Sequence, residues 1–186
     1  MAKTCSTASR IAGVTLVFGL LTSFAGCGVV AGFANIISDP VASGPSTVIG
    51  VRADGGNLSI ALGGVCPAGT TYTVMFDRDN LTVNSNSKTM VFTSNIALTV
   101  FDPFHLPEES TVTTPFPAGF KWQDAKGLTI WAHQTNGTPD NETGASLSRV
   151  SQSSQYASGA YDFGNGWMTL DQVAARTDMQ GLCGNK

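Results

Sequence analysis

The sequence predicts a mainly β domain, an antiparallel β-sandwich or small barrel with one short C-terminal helix. Three observations carry this. Apolar residues recur with a period of two in several separate segments. Glycine-rich turns punctuate those segments. Only one stretch carries a helix-start signal, and strands do not alternate with helices, which disfavours a parallel sheet.

Ile49, Val51 and Ala53 alternate with Gly50 and Arg52, and Leu58, Ile60 and Leu62 alternate with Asn57, Ser59 and Ala61. Asp54-Gly55-Gly56 lies between them, so the pair reads as a β-hairpin. Gly63-Gly64 and Pro67-Ala68-Gly69 mark the next connection. Tyr72, Val74 and Phe76 then define a strand closed by Asp77-Arg78-Asp79-Asn80. Residues 88–101 form a further strand pattern, with Met90, Phe92, Ile96, Leu98 and Val100 on one face. It is long for one strand, which predicts a bulge or break near Ser94-Asn95. Leu128 to Ala132 reads as a strand, and Trp167-Met168 as part of a last one.

Thr169-Leu170-Asp171-Gln172 has capping-box spacing, with Thr169 as N-cap, and Gly181 is read as the helix stop. Two segments lack periodicity. Residues 101–123 mix four prolines with Phe101, Phe104, Phe116, Phe120 and Trp122. Residues 135–166 are polar, and short strands are expected there around 146–150 and 155–163.

The N-terminus differs from the rest. Lys3 and Arg10 precede an apolar run over residues 11–25, the charge pattern of a secretory signal. Phe24-Ala25-Gly26-Cys27 then resembles the lipobox of bacterial lipoproteins, although Phe24 stands where Leu is usual. The resemblance covers the first 27 residues. It implies cleavage before Cys27, a diacylglyceryl group on its thiol, further acylation such as palmitate, and a membrane partner through that anchor. Residues 1–26 are then a signal peptide. Residues 27–47 are the lipidated Cys and a Pro/Gly/Ser-rich linker, and 48–186 a single extracytoplasmic domain. Two alternatives stay open. Residues 11–37 carry no charge, long enough to span a bilayer core of about 30 Å uncleaved. Ordinary cleavage after Ala25 or Ala34 would release a secreted domain. A buried cytosolic helix is disfavoured by five glycines within residues 13–32.

Four cysteines are present. Cys5 falls in the signal and Cys27 at the lipid site, which leaves Cys66 and Cys183 to pair in an oxidising compartment. With a net charge of -3 and no basic run, nucleic acid is not an expected partner.

Chemistry is less legible. The sequence has no Gly-x-Ser-x-Gly elbow; Gly144-Ala145-Ser146-Leu147-Ser148 fails at its fifth position. His133 shares a strand face with Trp131 and Thr129 and is the candidate base; His105 sits in a proline-rich loop. Asp77, Asp79 and Asn80, or Asp140, Asn141 and Glu142, could offer oxygens to Ca²⁺, but neither set matches an EF-hand loop and Asx turns are the simpler reading. Glu108-Glu109 reads as a solvated loop tip. Asn57, Asn80, Asn136 and Asn141 open sequons expected by chance in such a composition. No cofactor or metal is expected. Trp122, Trp131, Tyr156 and Tyr161 are the candidate ligand- or partner-binding residues, set against the alternative that such aromatics fill the core.

Beyond the lipobox, the chain is similar in composition to small exported lipoproteins of Gram-positive, actinobacterial type. The leading expectation is a membrane-tethered protein that binds a partner or envelope component. The alternatives are an exported hydrolase using His133 or a carboxylate pair, and a prophage-type or toxin-immunity lipoprotein that blocks a protein partner.

Overall fold

The alternating residues from Ile49 to Leu62 build an antiparallel hairpin. β1 (Ser46–Val48) leads into β2 (Gly50–Asp54), which turns into β3 (Asn57–Cys66). The turn glycines Gly55 and Gly56 have φ of 59° and 99°, a region other residues enter only with strain. Val51 pairs with Ile60 and Ala53 with Leu58. The computed structural model describes residues 45–77, 87–135 and 140–184. The chain divides into Met1–Asp39 and Pro40–Lys186, and these residues all belong to the second unit. Residues 1–26, Cys27, most of the linker, Asp79 and Asn80 lie outside the described residues. Strand structure starts at Ser46, inside the stretch read as linker.

β4 (Thr70–Asp77) and β5 (Lys88–Ser94) form a second antiparallel pair. The 88–101 pattern does break at Ser94. The Ser94 hydroxyl donates to Ile96 O (2.8 Å), and the chain crosses into β6 (Leu98–Phe101), which joins the other sheet. One apolar run thus feeds both layers. Ile96 sits in the crossing and is exposed rather than on the shared face.

β7 (Ser110–Thr114), β8 (Gly127–His133) and β9 (Asn141–Ser146) complete the second sheet, ordered β7-β5-β4-β8-β9. β10 (Tyr161–Asp162) and β11 (Trp167–Met168) complete the first, ordered β11-β10-β2-β3-β6. The two sheets are separate and open, a sandwich rather than a closed barrel. Val51, Leu58, Ile60 and Leu62 of the first sheet and Tyr72, Val74, Phe92, Leu128 and Ile130 of the second make the shared core. Phe104, Phe116 and Phe120 from the proline-rich segment pack against Phe76, with ring centroids 5.3–6.1 Å from its ring.

In the polar 135–166 segment, the strand expected around 146–150 lies earlier, at β9, whereas the one expected around 155–163 is present as the two-residue β10. Residues Val150–Gln155 between them form a 3₁₀ helix. Short Ser-rich sequence favours that local turn geometry, and within it the Ser153 hydroxyl donates back to Val150 O at 2.6 Å. Arginines hold the segment down. Arg52 donates to Ala157 O and Ala160 O, each at 2.9 Å, and Arg149 pairs with the buried Asp162 through two bonds of 2.9 and 2.5 Å.

α1 (Leu170–Ala174) has the expected capping box. The helix ends at Ala174 and Gly181 is not its stop. Gly181 instead closes β12 (Met179–Gly181), which pairs in parallel with β1. A Cβ on Gly181 would lie 2.7 Å from Gly64 N, so only glycine lets β12 lie against the β3 backbone. Val173 and Met179 join Val48, Ala61 and Phe163 in a second small core on the outer side of the first sheet. Cys66 and Cys183 are disulfide-bonded, with Cα atoms 5.1 Å apart and a sequence separation of 117. Among the described residues no helix is long and apolar enough to cross a membrane.

Candidate binding face

Strand alternation sends Tyr72, Val74 and Phe76 of β4 into the core and Thr71, Thr73, Met75 and Asp77 to the opposite side. The same rule places Thr129, Trp131 and His133 of β8 outside. Registers then align two rows across this outer face. In the first, Glu142 of β9 pairs with Trp131, Trp131 with Thr73, and Thr73 with Val91 of β5. In the second, His133 pairs with Thr71, Thr71 with Thr93, and Thr93 with Thr111 of β7. Neighbouring strands stand about 4.8 Å apart, so each row is a ladder of side chains at that spacing.

Hydrogen bonds fix the second row. Thr71 Oγ1 and Thr93 Oγ1 are 2.8 Å apart. His133 Nδ1 lies 2.5 Å from Asp140 Oδ1, which extends the row past β8. This end of the face is open: His133 and Thr111 are exposed, and Trp131, Thr71, Thr73 and Thr93 are half-buried. The other end, at Met75, Thr129 and Asp77, is buried. The outward positions of β4, β8 and β9 carry Asp77, Glu142 and His133 but no Lys or Arg.

The four aromatic candidates do not converge. Trp122, in the 3₁₀ turn Trp122–Asp124, donates its indole N–H to Gly56 O (3.1 Å) and packs against the main core. Tyr161 packs against the small core beneath α1, and burial raises its hydroxyl pKa above the usual value. Tyr156 is exposed and stacks on Trp167, with centroids 4.3 Å apart and planes 12° apart. Only Trp131 stands within an open polar sheet face. Thr73 and Thr93 carry no site signal in the sequence, and Glu142 stands out there only as a Ca²⁺ oxygen candidate. Their parity was readable, but the register that sets them beside Trp131 belongs to long-range pairing.

The remaining candidates are placed as follows. His105 Nδ1 lies 2.9 Å from Asp102 Oδ2 at a tight turn. Asp77 is fully buried, and its Oδ1 accepts from the Ser87 hydroxyl. Among the described residues there is no group of three or more His, Cys, Asp or Glu placed to hold a metal ion. Asp140 is engaged by His133, and Glu142 belongs to the Trp131 row.

No family model, curated protein or solved structure matches the chain.

Proposed function

We propose that the chain is an exported, lipid-anchored binding protein whose open sheet face around Trp131 holds an uncharged glycan of the cell envelope. The observation that carries this is the alignment of Trp131 between Thr73 and Glu142, beside the Asp140–His133–Thr71–Thr93 row. An indole offers a flat apolar surface to the C–H face of a sugar ring. Threonine hydroxyls both donate and accept, and carboxylates accept, which suits a ligand covered in hydroxyls. The absence of Lys and Arg from the outward positions of β4, β8 and β9 argues against an anionic ligand. The lipobox-like Phe24-Ala25-Gly26-Cys27 supports the anchor, and the Cys66–Cys183 bridge suits an oxidising compartment.

Co-sedimentation of the purified chain with chitin, an insoluble uncharged glycan, tests the reading. The expected result is that the chain pellets with chitin and that Trp131→Ala weakens this about tenfold, the loss of about 1.4 kcal/mol. A wild-type chain that stays in the supernatant, or a variant that pellets equally, would contradict it.

A second reading, an exported hydrolase, draws on the His133–Asp140 contact, which orients the imidazole as a base is oriented in nucleophilic catalysis. Both partners are well exposed, with side-chain accessibilities of 63% and 61%. Such a site does not exclude water from a reacting centre. His133→Ala removing a measured glycan turnover while the fold is kept would favour this second reading.

A further inference from the structure

β10 and β11 are joined by the turn Phe163-Gly164-Asn165-Gly166, which places an Asn-Gly step at a hairpin end. Hydrogen bonds anchor the turn at its base. Phe163 N donates to Gly166 O at 3.0 Å, Gly164 N to Asp162 Oδ1 at 2.9 Å, and Arg149 to Gly164 O at 2.7 Å. Asn165 itself is exposed. Neither its carboxamide nor the Gly166 N–H has a hydrogen-bond partner among the described residues. A Cβ built on Gly164 or on Gly166 would meet nothing within 4 Å, so the tip stands clear of the other described atoms. These two glycines have φ of 82° and 144°, and their freedom on either side lets the Asn165 backbone rotate.

We infer that Asn165 is a site of spontaneous deamidation in the folded protein, through a cyclic imide formed with Gly166. The Gly166 backbone nitrogen gives its proton to a solvent base and attacks Asn165 Cγ. The N–Cγ bond forms, the Cγ–Nδ2 bond breaks, and Nδ2 takes up a proton and leaves as ammonia. Water then opens one of the two imide C–N bonds. Opening at Cγ gives aspartate, and opening at the backbone carbonyl gives isoaspartate. Glycine favours the attack because no Cβ obstructs the approach to its nitrogen. Asp54-Gly55, at the β2–β3 hairpin, is the contrasting step. Arg52 engages both Asp54 oxygens, at 2.6 and 3.0 Å, and a carboxylate paired with a guanidinium is a poor electrophile. Either product at residue 165 brings a new carboxylate to the turn that Arg149 holds. Isoaspartate also adds a backbone carbon inside the loop closed by the Phe163–Gly166 bond.

Tryptic mapping of the full, disulfide-bonded chain aged at pH 8 tests this. Cleavage after Arg149 and Arg176 frees residues 150–176, in which Asn165 is the only asparagine. The expected result is a gain of about 1 Da in this peptide, the exchange of NH₂ for OH, split between an aspartate and an isoaspartate species. The Asn165→Gln variant, at an exposed position, should fold as the wild type does and show neither species. The same chain unfolded in urea supplies the reference rate, because it lifts every constraint of the fold. An open tip predicts a native rate within about tenfold of that reference. A reaction that waited for global unfolding would be at least about a thousandfold slower. The inference is overturned if the native rate lies more than about tenfold below the unfolded one. It is equally overturned if the Asn165→Gln variant gains the same mass at the same rate.

Discussion

Cys66, the last residue of β3, is bonded to Cys183, two residues past the end of β12. Leu182 N also donates to Leu62 O at 2.8 Å, so the C-terminal segment is fixed to β3 by a covalent and a backbone link. The bridge closes 117 residues, for which chain entropy gives an upper figure of about 4–5 kcal/mol. The Cys66→Ser/Cys183→Ser double variant is expected to lose about 2–5 kcal/mol in urea unfolding. Equal midpoints with and without reductant in the wild type would show that the bridge adds nothing.

Asp162 accepts two bonds from Arg149, and Gly164 N donates to its Oδ1 at 2.9 Å. Asp162 is buried while the Arg149 side chain is 41% accessible, so the pair is only partly screened. Asp162→Ala should cost about 2–3 kcal/mol by leaving the Gly164 amide and the guanidinium unpaired. Limited proteolysis would then cut within residues 149–166 faster than in the wild type. Unchanged cleavage would mean that Arg52 alone holds the segment.

Tyr72 is fully buried in the core, and burial raises its hydroxyl pKa well above the ordinary value of about 10. Its folded pKa is raised, so its contribution is complete below pH of about 10 and is lost as pH climbs toward the folded value. The protein should therefore destabilise progressively above pH of about 10, and Tyr72→Phe should flatten that limb. Urea midpoints between pH 8 and 11 measure it. A slope identical in both proteins would assign the alkaline loss to other groups, such as Tyr161, whose pKa burial also raises.

Trp122 and Trp131 should separate stability from binding. Trp122→Ala removes its packing against the main core and its hydrogen bond to the Gly56 carbonyl at the hairpin turn. A loss of about 2–3 kcal/mol is expected in unfolding. Trp131→Ala, on the open face, should cost less than about 1 kcal/mol of stability. Paired unfolding curves decide it, and the reverse order would place Trp131 in the packing and Trp122 on the ligand.

The strands that alternate cleanly could be read in the sequence because burial on one face writes itself into every second residue. The Ile49–Leu62 hairpin and Tyr72–Phe76 are such cases. β10 and β11 could not, since two residues carry no period. β12 was hidden for another reason: its Gly181 resembles a helix stop, while its pairing to β1 depends on residues far away in the chain. The binding face was half legible. Trp131 and His133 announce a shared side, but Thr73, Thr93 and Glu142 join them only through register.

Export is the premise on which the bridge, the tether and an envelope ligand all rest. Intact-mass spectrometry of the protein taken from its native membrane tests it most directly. The account predicts a chain running from Cys27 to Lys186 with a diacylglyceryl group, gaining two hydrogens on reduction. An unlipidated chain that retains Met1, with Cys66 and Cys183 as free thiols, would contradict it.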